Sequence, residues 1–181
     1  LLERLKAEGE DSPADIFFTV DAGNLWRIQK EGFFRSINSE EVKNIVPKNL
    51  RGPNDEWVAI AKRARVIYYN PEVISPERME EVSYEDLSNP DWNGKIAIRS
   101  SSNMYNQSLV ASLISNHGID KTEEWARGFV NNFSRKPQGN DRAQIMAVAN
   151  GEATLAIANS YYIGIMLSGR SGEAQLAAAK K

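Results

Sequence analysis

The alternation of apolar and polar positions divides the chain into short strand-like and helix-like runs separated by Pro, Gly and Asn breaks. LLERLKAEGE is an amphipathic helical segment, and Ser12-Pro13 ends it. ADIFFTV (14–20) is apolar enough for a buried strand. A turn at Asp21 to Asn24 leads into LWRIQKEG, a short helix stopped by Gly32. A polar stretch through Pro47, Gly52 and Pro53 reads as surface loop with one helical turn. EWVAIAKRARVIYYN (56–70) is the longest strand-like run, and Pro71 and Ser75-Pro76 close it.

The second half repeats one unit. KIAIR is a strand, Ser100 to Asn103 a polar loop rich in N-cap residues, and Leu109, Val110, Leu113 and Ile114 mark a helix ending at His117-Gly118. KTEEWARGFVNNF is an amphipathic helix presenting Trp125, Phe129 and Phe133. Asn140 or Asp141 caps a helix finished by Asn150-Gly151. ATLAIAN is an apolar strand, and Asn159-Ser160 start a helix whose first turn holds Tyr161 and Tyr162. Strands alternating with helices predict an α/β fold.

Two adjacent tyrosines on a strand would point to opposite faces; in the first turn of a helix they can share a ligand. Tyr105 falls at the matching place, the first turn after KIAIR and its loop. In open α/β sheets ligands gather beyond the carboxyl ends of strands, where such turns lie. Tyr68 and Tyr69 stand in strand context and read as core and face residues. Lys62, Arg63 and Arg65 form either a basic spot beside a cleft or solvated edge charges.

Composition narrows the chemistry. The 181 residues carry a net charge of −2 with scattered basic residues, which speaks against a nucleic-acid partner. No apolar run approaches the roughly 20 residues of a membrane-spanning helix. The chain has no cysteine and one histidine, His117 beside a helix-ending glycine. Thiolate sites, disulfides, HExxH and a Ser-His-Asp triad are thereby excluded. Neither G-x-G-x-x-G nor a Walker loop occurs. What survives is an oxygen-rich site with up to three phenols, a donor set suited to a hard trivalent cation such as Fe(III) rather than Zn or Cu(I).

IANSYYIG, with KIAIRSSSNMYN upstream and KPQGNDRAQIMAVANGEA between them, closely resembles the periplasmic ferric-iron-binding proteins of ABC importers, above all the subgroup described from cyanobacteria. The resemblance covers nearly the whole chain. It implies a type II periplasmic-binding-protein fold, two lobes joined by crossing strands. The expected organisation is an incomplete first lobe over 1–65, a second lobe over 66–171 carrying the tyrosines, and a return segment beginning at 172–181. By the same resemblance Tyr105, Tyr161 and Tyr162 are metal ligands. Arg65, Ser101, Ser102, Asn103, Asn140 and Asn159 match positions that hold a synergistic anion or lie behind the ligands. Asp21 stands where some relatives carry a glutamate ligand and is a further candidate.

The resemblance further implies a monomer in the periplasm, not an enzyme, that carries ferric ion to an ABC permease of the inner membrane. LLERLKAEGE starts in mid-pattern and AQLAAAKK has no stop signal, so the expectation is a piece of a longer chain, with any export signal or lipid anchor outside it. The rival readings are a receptor for another small anion such as phosphate, using the serine loop and helix starts, and an α/β transferase-like enzyme using Arg65 or Arg99. The enzyme reading has only Asp21 or Asp141 as a general base.

Overall fold

The computed structural model describes residues 1–181. The chain divides into two compact units, Leu1–Lys62 and Arg63–Lys181. The second is built on a three-stranded sheet in the order β1-β3-β2, where β1 is Arg65–Tyr69, β2 Ile96–Ala97 and β3 Leu155–Asn159. β3 runs antiparallel to β1 and parallel to β2. All five of its residues are buried, which explains why LAIAN shows no polar alternation.

Period-two alternation sorts the strands into two faces. Ile67, Tyr69, Ile96, Leu155 and Ile157 pack into one core with Leu113 of α5 (Met104–His117) and Trp125 and Phe129 of α6 (Ile119–Asn131). Trp125 stacks on Phe129 at 4.6 Å between ring centroids, and Phe129 meets Phe133 edge-on at 5.0 Å. Gly128 lets α6 approach the Glu85–Ser88 turn: a Cβ there would lie 2.7 Å from the Ser88 carbonyl oxygen. The opposite face is lined by Ala97, Ala156 and Ala158. These small residues admit the Tyr68 ring and α7 (Asp141–Ala149) at close range. α8 (Tyr161–Leu167) and α9 (Glu173–Ala179) complete this core through Met166 and Ala178, and α4 (Pro76–Glu80) lies between β1 and β2 in the chain.

The first unit holds α1 (Leu2–Glu8), α2 (Ala22–Lys30) and α3 (Glu40–Ile45). Trp57 anchors it: its indole N–H donates to Gln29 Oε1 at 3.0 Å, and its ring leaves no room for a side chain at Gly52.

Two sequence expectations need correction. Residues 14–20 are not a buried strand: they carry no ladder, and Ile16 and Phe18 are 85% and 71% exposed. An apolar run becomes a strand only where another strand can accept its hydrogen bonds, and every paired strand lies in the second unit. The long strand expected over 56–70 contracts to β1, because the partner β3 opposes only Arg65 to Tyr69. Val58 makes no more than an isolated bridge to Arg51. KIAIR likewise contracts to Ile96–Ala97.

Tyr84 ties the layers together. Its hydroxyl donates to the Arg65 carbonyl at 2.9 Å, and its own carbonyl accepts the Trp125 indole N–H at 2.8 Å. Burial pushes the Tyr84 phenol up to about 12, against a partial downward pull from Arg65. A phenol whose pKa rises on folding stabilises fully below its unfolded value, near 10, and loses that contribution as pH climbs toward the folded value. Urea titrations should therefore show stability falling between pH 10 and about 12. Tyr84→Phe should flatten that slope and cost about 1 kcal/mol at pH 7 through the lost hydrogen bond.

Candidate functional site

Two strand-to-helix turns bring the tyrosines together. After β2, Asn103 caps α5: its Oδ1 accepts the Tyr105 N–H at 3.0 Å, which places Tyr105 in the first turn. After β3, Ser160 leads into α8, whose first two residues are Tyr161 and Tyr162. Because β2 and β3 are parallel neighbours, both turns emerge at the same edge of the sheet. The Tyr105 and Tyr161 hydroxyls lie 3.4 Å apart, and the Tyr161 and Tyr162 rings meet at 4.3 Å between centroids, tilted by 34°. Three half-buried phenols from separated stretches thus form one cluster.

Behind it lies a buried ionic hub. Asp141, with no exposed surface, accepts Arg65 Nη1 at 2.9 Å, Arg99 Nη1 at 3.1 Å and the Asn159 backbone N–H at 2.8 Å. Arg65 continues to Asn159 Oδ1 at 3.0 Å and Asn106 Oδ1 at 2.7 Å, and the Asn106 amide donates to the Arg99 carbonyl at 2.8 Å. A carboxylate this deep persists only when its charge and lone pairs are satisfied, and here two guanidiniums and a backbone amide do so. Arg63, Arg65 and Arg99 all face the Tyr105 ring, at 5.5, 5.8 and 5.6 Å from its centroid, and Arg63 also faces Tyr161 at 5.8 Å.

These surroundings make the three phenols unequal. Burial pushes Tyr161 up, but hydrogen bonding from Tyr105, Tyr162 and Asn159 and the charge of Arg63 outweigh it, so its pKa falls below the ordinary phenol value. Tyr105 is raised, first by its hydrogen bond to Tyr161 and then by burial. Tyr162 is raised further, by burial and then by its bond to Tyr161. Tyr161 is therefore the first of the cluster to ionise, stabilised by protons its neighbours retain.

The other sequence candidates fall in several places. Asn159 and Arg65 belong to the hub directly behind the phenols. Asn103 and Asn140 cap helices, the latter through Oδ1 to the Ala143 N–H at 3.2 Å. Ser101 is exposed, and the Ser102 hydroxyl pairs with that of Ser100 at 2.9 Å. Asp21 belongs to the first unit, where it caps α2 by accepting the Gly23 N–H at 3.0 Å. Sequence reasoning missed the central place of Asp141, weighed only as a cap or base, and the ring-facing geometry of Arg63 and Arg99. No linear signal separates a buried hub aspartate from the ordinary acidic residue of a helix's first turn. No group of three His, Cys, Asp or Glu side chains that could hold a metal ion converges in the structure.

Removing the hub charge leaves two guanidiniums facing each other without their counter-ion. Asp141→Asn should cost about 3–5 kcal/mol in chemical denaturation, whereas Ser101→Ala, at an exposed loop position, should stay within about 0.5 kcal/mol of the unaltered protein.

The family described as bacterial extracellular solute-binding protein matches residues 11–169. Iron uptake protein A1 of Synechocystis is 53% identical over 167 residues, which is 92% of this chain and 46% of that protein. Among solved structures, a Trichodesmium IdiA (FutA) in complex with iron and citrate superposes with a TM-score of 0.93 at 52% identity, over 99% of this chain and 56% of that one. Apo FutA2 from Synechocystis superposes at 0.92 with 46% identity, over the same shares. The chain thus spans about half the length of the relatives it matches.

Proposed function

Since the chain belongs to the bacterial extracellular solute-binding protein family, we propose that it serves to capture Fe(III) outside the cytoplasm through the phenolates of Tyr105, Tyr161 and Tyr162, and to deliver it to an ABC permease. The architecture is that of a type II periplasmic-binding protein, over the portion the chain spans. The observation that carries the proposal is the phenol cluster itself, with the Tyr105 and Tyr161 oxygens 3.4 Å apart. Three phenolates offer hard oxygen donors and a charge matching a ferric ion, which a site of neutral amides could not.

The electrostatics favour capture and release. Ferric ion replaces the protons that the cluster holds, so binding is coupled to proton loss and strengthens as pH rises. Tyr161, whose phenol is held below the ordinary value, gives up its proton most readily. Asp141 offsets one of the two charges of Arg65 and Arg99 and so lessens their repulsion of the cation. Arg63 takes part in none of the ion pairs, and an anion sharing the metal would meet its guanidinium beside the rings. The assignment is to transport, without a chemical step: the only carboxylate of the hub is locked between two arginines and cannot serve as a base.

Adding Fe(III) should produce a phenolate-to-iron charge-transfer band in the visible. Tyr161→Phe and Tyr162→Phe should each weaken the band and lower ferric affinity more than about 100-fold, since even the outer partners of metal ligands cost about 10–100-fold. Affinity should rise from pH 6 to pH 8 at fixed chelator competition. A colourless complex, or two mutants with unchanged affinity, would falsify the phenolate reading. Tight binding of phosphate without iron would favour an anion receptor instead.

A further inference from the structure

We propose that Tyr68 is a positioning residue for the tyrosine pair, its hydroxyl holding the turn between β3 and α8 from behind and so setting how Tyr161 and Tyr162 project. The inference rests on the reading of that pair as ferric ligands. α8 is poorly equipped to define its own start. It has seven residues, fewer than an isolated helix needs, and carries Gly164 and two β-branched isoleucines. Ser160, at its N-terminal boundary, has helical backbone angles (φ −57°, ψ −33°), and its side chain makes no capping hydrogen bond. The sequence expectation that Asn159 or Ser160 caps the helix is therefore not met: the Asn159 side chain is turned to Arg65 instead.

Tyr68 supplies the missing restraint from the neighbouring strand. It opposes Ala156 across the β1–β3 ladder. Its hydroxyl reaches the Asn159 carbonyl at 3.1 Å and the Ser160 carbonyl at 3.2 Å. One hydroxyl thus bridges the two carbonyls immediately before Tyr161. The ring needs only the room left by the alanine-lined face, a demand that Phe would meet equally well. Only the bridge requires the oxygen.

The two faces of β1 supply the control. Tyr69 adjoins Tyr68 in sequence but packs into the opposite core, away from α8. Tyr68→Phe and Tyr69→Phe should be compared with the unaltered full chain and with Tyr161→Phe in ferric titrations against citrate, in the position of the charge-transfer band, and in amide hydrogen exchange of the metal-free protein. Tyr68→Phe should weaken ferric binding about three- to tenfold, the reach of one neutral hydrogen bond, shift the band, and speed exchange at Ile163 and Gly164. Tyr69→Phe should leave all three readouts unchanged. Unchanged affinity and band in Tyr68→Phe overturn the proposal whatever the variant's stability. An equal loss in Tyr69→Phe overturns it too, because the effect would then be general loosening. If the unaltered protein shows no band, the ligand reading fails and the metal role of Tyr68 with it. Exchange at Ile163 still decides separately whether Tyr68 holds the turn.

Discussion

A buried carboxylate between two arginines organises the second unit. Asp141 has no access to water, so its charge is tolerable only because Arg65 from β1, Arg99 following β2 and the Asn159 amide at the end of β3 converge on it. That convergence specifies geometry as well as satisfying charge. The end of every strand in the sheet is tied to the start of α7, and the two turns that carry tyrosines leave the sheet at the edge so fixed. Loops are ordinarily the mobile parts of a binding protein. Here the first turns of α5 and α8 are set against an ionic and hydrogen-bonded frame, the kind of support a site needs to hold donors in place.

The hub also shapes the local charge. Three guanidiniums stand within 6 Å of the Tyr105 ring, an arrangement hostile to a bare cation until the pairing is considered. Asp141 offsets one of the two charges of Arg65 and Arg99, whereas Arg63 enters no ion pair and acts on the phenols directly. Its charge assists ionisation of Tyr161, while Tyr105 and Tyr162 retain their protons more tightly. Three chemically identical side chains thus differ in the ease with which each loses its proton, and environment alone produces the difference.

Much of the fold was legible along the chain. The helices at 104–117, 119–131 and 141–149 follow from apolar spacing and from stop signals such as Gly118 and Asn150-Gly151, which are local properties. The first-turn placement of all three tyrosines was legible for the same reason. The strands were less so. ADIFFTV and EWVAIAKRARVIYYN have strand-like patterns, yet only Arg65–Tyr69 forms a ladder, because a strand exists by virtue of a partner and that partner is almost 90 residues away in sequence.

The sequence by itself determined which donors the protein possesses: no cysteine, one histidine, and phenols at the starts of helices, a set that leaves oxygen chemistry and little else. It also determined where α5 and α7 begin and end, since caps and glycines act over a few residues. Only the tertiary structure decided that Tyr105 and Tyr161 face each other at 3.4 Å. The same is true of the burial of Asp141 as the counter-ion of two arginines, and of the reach of Tyr68 from a neighbouring strand to the turn before Tyr161. These are contacts between residues tens of positions apart. They depend on strand register and on the close packing that a face of alanines permits, and no local pattern of apolar and polar residues encodes them.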